Sequence, residues 1–207
     1  YMARIDLNVP FAEKDDAKRL GARWDSDRKV WYVPDGVNPG AFGRWLPALP
    51  DINVRASNYF IAQSETHCWK CRELTQVFGF ILPSGHEALE PDDEEDDRDV
   101  WYRHDEPTIL NYVTELLPAV ANRIKTMTRH YRVDFSKTTG SSYWMNHCEA
   151  CGMKQGDFEL FCEPDGAFFP MAEQAASQIV LQTFSEPFGA CADTSYGDHL
   201  FDSMRRA

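Results

Sequence analysis

Two Cys-x-x-Cys pairs stand in the chain, Cys68 and Cys71 in HCWKC and Cys148 and Cys151 in HCEACG. A tight turn at this spacing places two thiolates one ligand-to-ligand distance apart, with backbone amides facing the sulfurs. Two such turns complete the tetrahedral set that zinc prefers. The pairs are separated by 76 residues, beyond the usual gap of about 15 to 20. Loop-closure entropy makes the longer gap cost only on the order of 1.3 kcal/mol more, against roughly 10 to 16 kcal/mol from structural zinc. One structural Zn2+ on Cys68, Cys71, Cys148 and Cys151 is therefore expected. The competing reading, four cysteines packed as small apolar residues, must account for two such pairs, each preceded by histidine. A four-thiolate site keeps no open position for water, so hydrolytic zinc chemistry is not expected.

His67 and His147 could replace a cysteine as ligand, but a residue adjacent to a ligating cysteine points away from the metal, which favours a supporting or surface role. Gly152 follows the second pair as a tight knuckle turn requires, whereas Arg72 stands at the equivalent place in the first. Cys162 and Cys191 read as buried small apolar residues rather than nucleophiles. The chain has no phosphate-cradling glycine loop, no serine elbow and no HExxH pair. The balance is thus against an enzyme.

Charge is unevenly spread. The run Glu90 to Asp99 holds eight acids and one arginine and supplies −7 of the formal −12. Its Asp92, Asp93, Glu94, Glu95, Asp96 and Asp97 are candidates to grip a basic protein partner, although like-charge runs are usually solvated loops. Residues 121–137 hold five bases against one acid. Arg123, Lys125, Arg129 and Arg132, with Trp144 near them, could meet phosphates and stack bases as single-strand binders do. The alternative is a solvated helix face that balances the acidic run.

Elements must carry these residues. Alternating Ile5, Leu7 and Val9 predict a strand ended by Pro10. AEKDDAKRLG predicts a helix, with acids first, bases last, Gly21 at the stop, and Ala17 and Leu20 facing inward. KVWYVP predicts a second strand, and NPGAFGRWLP a turn that ends on Trp45. Trp24, Trp31 and Trp45 suit a small core built on large side chains. Pro47 and Pro50 mark a linker. NYFIAQS and QVFGFIL predict a hairpin with the first knuckle at its tip, and a second hairpin follows around the second knuckle, its later strand alternating Phe158, Leu160 and Cys162. Between them Ile109, Val113, Leu116, Leu117, Val120, Ile124 and Met127 keep a 3.6-residue period, predicting a helix that Pro118 kinks or splits. Met171 to Phe184 predicts another amphipathic helix, and Leu200, Phe201 and Met204 a short last one.

Bulk properties agree with a folded protein: 207 residues, 43% hydrophobic and 13% aromatic. No apolar run reaches the roughly 20 residues that span a bilayer, and no secretory layout is present. A cytoplasmic protein without membrane association is expected, its natural start at Met2. Cysteines in a reducing compartment are better read as ligands or free thiols than as disulfides. The fold class is α+β: a small β-α-β module at 3–48, then a split zinc-ribbon β-sheet domain at 53–207 with an acidic and helical insertion at about 83–140 and C-terminal helices.

The order IDLNVPF, AKRLGARWD, KVWYVP at residues 4–47 resembles a small domain of unknown function found at the front of primase-like and other proteins of conjugative plasmids and integrative elements. The resemblance implies a mobile-element or DNA-metabolism setting and carries over no catalytic residue. NHCEACG and GAFFP are similar to bacterial proteins of undefined role that pair this unit with a split zinc ribbon. Two functions remain open: a non-catalytic, zinc-stabilised accessory protein associated with nucleic acid, and an inhibitor- or immunity-type module acting through its acidic and aromatic surface.

Overall fold

A computed structural model describes residues 5–34, 36–46, 51–91, 99–195 and 200–207. The six acidic candidates Asp92 to Asp97 lie outside the described residues. The chain divides into two compact units, Tyr1–Leu49 and Pro50–Ala207, and the class is α+β.

In the first unit β1 (Ile5–Leu7) leads through a 3-10 turn into α1 (Lys14–Arg19), then to β2 (Arg23–Asp25) and β3 (Val30–Val33). The strands form an antiparallel sheet in the order β1-β3-β2. The module is therefore β-α-β-β: Gly21, at φ 102°, ends the helix as expected, and the RWD that follows is a strand rather than a connector. Ala17 is buried, but Leu20 is 44% exposed, because it lies beyond the last helical turn. Leu7, Val33, Phe42 and Trp45 make the core. Of the three tryptophans only Trp45 is fully buried, and its indole N–H donates to Glu13. Trp24 is exposed and tilts against Trp31.

The second unit contains β4 (Val54–Ala56), β5 (Tyr59–His67), β6 (Leu74–Leu82), β7 (Glu87–Pro91), β8 (Asp99–Arg103) and β9 (Thr108–Leu116). Helix α2 (Pro118–Met127), β10 (Tyr131–Ser136), β11 (Ser141–His147), β12 (Lys154–Gln155), α3 (Glu173–Ala176), β13 (Val180–Phe184), β14 (Phe188–Ser195) and β15 (Arg205–Arg206) follow. Nine strands form one sheet, ordered β15-β13-β5-β6-β9-β14-β4-β7-β8, and β10-β11-β12 form a second. The central strands of the large sheet are buried on both faces. Tyr59, Ile61, Phe78, Phe80 and Leu82 face α2 and the small sheet through Val120, Ile124, Tyr131 and Trp144. Phe60, Ala62, Val77 and Ile81 face Leu160, Phe161, Phe168, Ala176 and Ile179. Two-sided burial is why β5 and β6 read as near-continuous apolar runs. Among the described residues no helix is long and apolar enough to cross a membrane.

Two expected helices are largely strand. Only Pro118–Met127 of the first is helical, with Pro118 at its first turn, where a missing N–H costs nothing. Residues 108–116 form β9, in the middle of the large sheet. Between Asn111 and Glu115 this strand spends two more residues than β14 opposite it, and Tyr112 there has φ 49°. That bulge turns Leu110, Val113 and Leu116 to one face, a spacing of three that imitates a helix. The stretch between the knuckles is thus mostly sheet rather than a helical insertion. In the second case α3 spans only Glu173–Ala176, and Val180–Phe184 pairs with β5 as β13. At the tail, a 3-10 turn over Phe201–Ser203 precedes β15. The strand expected over Phe158, Leu160 and Cys162 is a π-helical turn that buries the adjacent Leu160 and Phe161 and exposes Phe158.

Candidate metal centre

The knuckles stand at the ends of β5 and β11 and share one hydrogen-bond pattern. Cys68 N–H donates to the Glu73 carbonyl and Arg72 N–H to the Cys68 carbonyl; Cys148 N–H donates to Met153 and Gly152 N–H to Cys148. The fourth residue after each leading cysteine is left-handed, Arg72 at φ 66° and Gly152 at φ 71°. The turn therefore demands this conformation even where arginine has to supply it.

Side chains hold the two knuckles together. The buried amide of Asn146 accepts from Phe78 N–H and donates to Phe78 O, both at 2.8 Å, replacing a strand neighbour for β6. Glu149 N–H donates to Thr75 Oγ1, and Trp69 Nε1 donates to Lys154 O.

These bonds bring all four sulfurs within 4.8 Å of one another. Cys68 Sγ lies 3.7 Å from Cys151 Sγ and Cys71 Sγ 3.6 Å from Cys148 Sγ. A disulfide needs about 2.0 Å, whereas a tetrahedron with metal–sulfur bonds of about 2.3 Å has edges of about 3.8 Å. The donor set therefore fits a metal ion, and the four cysteines could hold one. Cys68 and Cys148 are fully buried, and Gln155 Nε2 donates to Cys68 Sγ at 3.4 Å. Burial opposes ionisation of Cys68, but the backbone N–H groups of Cys71 and Lys70 outweigh it and draw the thiol down to about 6. The Cys71 thiol, despite a backbone bond from Glu73, is pushed up to about 12 by burial and by the neighbouring thiols. Four sulfurs this close cannot all be thiolates without a cation among them.

Both histidines turn away. His67 Nδ1 lies against Arg72 O. His147, 1% exposed, bonds through Nδ1 to backbone carbonyls and through Nε2 to Asp134. That bond, with help from Lys154, holds Asp134 down at about 2.

The basic candidates differ in how far they are already engaged. Arg123 is committed to Glu186 through two bonds of 3.2 and 3.1 Å, and Glu186 also accepts from the Tyr59 hydroxyl. Arg129 reaches His130 and Arg132 bonds Arg129 O. Trp144 is only 6% exposed in the core, under Lys125 and beside Tyr131, and has no face to offer a base. The aromatics that are exposed near the knuckles are Trp69, Phe135 and Phe158, none of which stands out as a site residue in the sequence.

Residues 4–47 match the family described as Domain of unknown function (DUF5710). Two proteins described as DNA primase TraC of Escherichia coli are similar to this chain, one 60% identical over 42 residues and one 54% identical over 39. The alignments cover 20% and 19% of this chain but only 4% and 3% of those primases. No solved structure matches the chain. The N-terminal unit thus carries a small domain shared with these two primases, and the knuckle-bearing unit beyond it stands on its own geometry.

Proposed function

We propose that the chain is a non-catalytic accessory protein, stabilised by zinc on Cys68, Cys71, Cys148 and Cys151, that associates with nucleic acid in a bacterial mobile-element setting. The observation that carries this reading is the four-sulfur cluster: all four donors are protein thiols within 4.8 Å of one another, two of the pairs at 3.6 and 3.7 Å, a set that leaves a bound ion no vacancy for substrate or water. Zinc here ties β5–β6 to β11–β12 and does no chemistry. Similarity of residues 4–47 to a segment of a DNA primase supports the setting, and the exposed Lys125, Arg129 and Arg132 supply cations for phosphates.

Elemental analysis of protein purified without added metal should return one zinc per chain. Fluorescence anisotropy with labelled single strands should show binding that weakens with salt, and replacing Lys125, Arg129 and Arg132 together by alanine should flatten the salt slope by about 2, at about 0.7 per lost phosphate contact. Unchanged affinity and slope in that variant would sink the association.

A further inference from the structure

A groove of about 600 Å³ opens beside the second knuckle, within the size range of small-molecule sites. Its walls are aromatic: Trp69, Phe135, Tyr143 and Phe158, with Tyr112 packed edge-on to Tyr143 at 5.2 Å. Trp69, Phe135 and Phe158 are each about half exposed (49%, 49% and 56%), an arrangement that leaves apolar rings unburied around one cavity.

Asp157 also lines this groove and is itself only 1% exposed. Its Oδ2 accepts the Tyr112 N–H at 2.7 Å, while Oδ1 has no hydrogen-bond partner among the described residues. A buried acceptor left open costs free energy that a native fold rarely concedes without a use. The bond that holds this carboxylate comes from the bulge of β9, where Tyr112 adopts φ 49°. Left-handed backbone at a bulky residue is a strained arrangement of the kind that collects at ligand sites. Burial also pushes the Asp157 carboxyl up to about 7, and a ligand N–H donated to it would favour the carboxylate form.

We propose that this groove binds a nucleobase through its exocyclic amino group, the amino N–H donating to Asp157 Oδ1 while the ring stacks among Phe135, Phe158 and Trp69. The proposal rests on the nucleic-acid reading above and gives it a contact other than phosphate charge. A planar, uncharged ring carrying one outward donor matches aromatic walls beside a single buried acceptor that lacks a partner. A small cation fits less well, because Lys137 and Lys154 also line the groove. Lys154 is committed to Asp134 and to the Phe135 carbonyl; exposed Lys137 is placed for a phosphate next to the base. Cytosine, adenine and guanine carry the required amino group. Thymine does not, and its one ring N–H lies between two carbonyls that a carboxylate repels.

The test uses the full zinc-loaded chain with labelled oligo-dC, oligo-dA and oligo-dT, and with dCMP and dTMP followed by tryptophan fluorescence. Expected is a preference of about tenfold or more for amino-bearing bases over thymine, as a hydrogen bond to a charged group implies. Asp157→Asn, whose amide presents donors to the groove, should abolish or reverse that preference. Phe158→Ala, at an exposed position, should weaken every strand by roughly tenfold through lost stacking. Equal affinity for oligo-dC and oligo-dT, or a preference unchanged in Asp157→Asn, overturns the groove while leaving strand binding intact. Binding of dCMP without any strand supports the groove with a free nucleotide as ligand and overturns the nucleic-acid reading. Binding of neither overturns both.

Discussion

Replacing Asp157 with asparagine probes what the buried carboxyl costs the fold. Burial raises its pKa from 3.8 to about 7, and the Tyr112 N–H offsets only part of that rise. Tyr112, Tyr131, Tyr143 and Cys162, the titratable groups that feel its charge, are themselves pushed up by burial and stay neutral. Lys154, in the same groove, is spent on Asp134. Because the folded-state value exceeds the unfolded one, the folded protein holds the proton to higher pH. The penalty is absent below about pH 4, grows as pH rises through the interval, and levels off above 7 at about 4 kcal/mol. Between pH 5.5 and 8.5 it should grow by about 2 kcal/mol. Asparagine keeps the Tyr112 bond but leaves its amide donors unmet, a roughly pH-independent cost of about 1–3 kcal/mol. Urea unfolding of the zinc-loaded wild type and Asp157→Asn at both pH values should therefore show the difference moving by about 2 kcal/mol in favour of asparagine at pH 8.5. Other pH-dependent groups, including the cysteines, cancel in that difference. Two stability curves that run parallel within about 0.5 kcal/mol would refute the reasoning.

Cys148→Ser should lose the bound metal and cost at least about 3 kcal/mol; hydrogen exchange should then show lost protection in β5, β6 and β11 while β1 to β3 keep theirs. Arg72→Gly should stabilise the first knuckle by about 1 kcal/mol by relieving its left-handed conformation, visible as a higher urea midpoint with unchanged zinc content. Gly166→Ala should destabilise by roughly 2–4 kcal/mol, because a Cβ there would sit 2.5–2.9 Å from the carbonyl oxygens of Glu159, Leu160 and Glu163. Thermal unfolding measures the loss, and an unchanged midpoint would show that the turn can open.

What could be read from residue order alone is what depends on local chemistry. The two knuckles were legible because a Cys-x-x-Cys turn sets its own sulfur spacing, and the β5–β6 hairpin because its apolar runs frame one of them. Helix α1 and its Gly21 stop were legible for the same reason, as was the DUF5710 segment with its LGARWD and WYVP. Tertiary structure decided the rest. The helical period read through Ile109, Val113 and Leu116 gives way to a bulged strand, whose two extra residues put Val113 and Leu116 on one face with Leu110 while Ile109 faces the other, since pairing with β6 and β14 outweighs the period. Burial, which no single residue announces, put Trp144 in the core and left Phe135 and Phe158 outside. It also enclosed Asp157, a residue with no motif around it, whose chemistry exists only because Tyr112, 45 residues away in the chain, aims its N–H at that carboxylate.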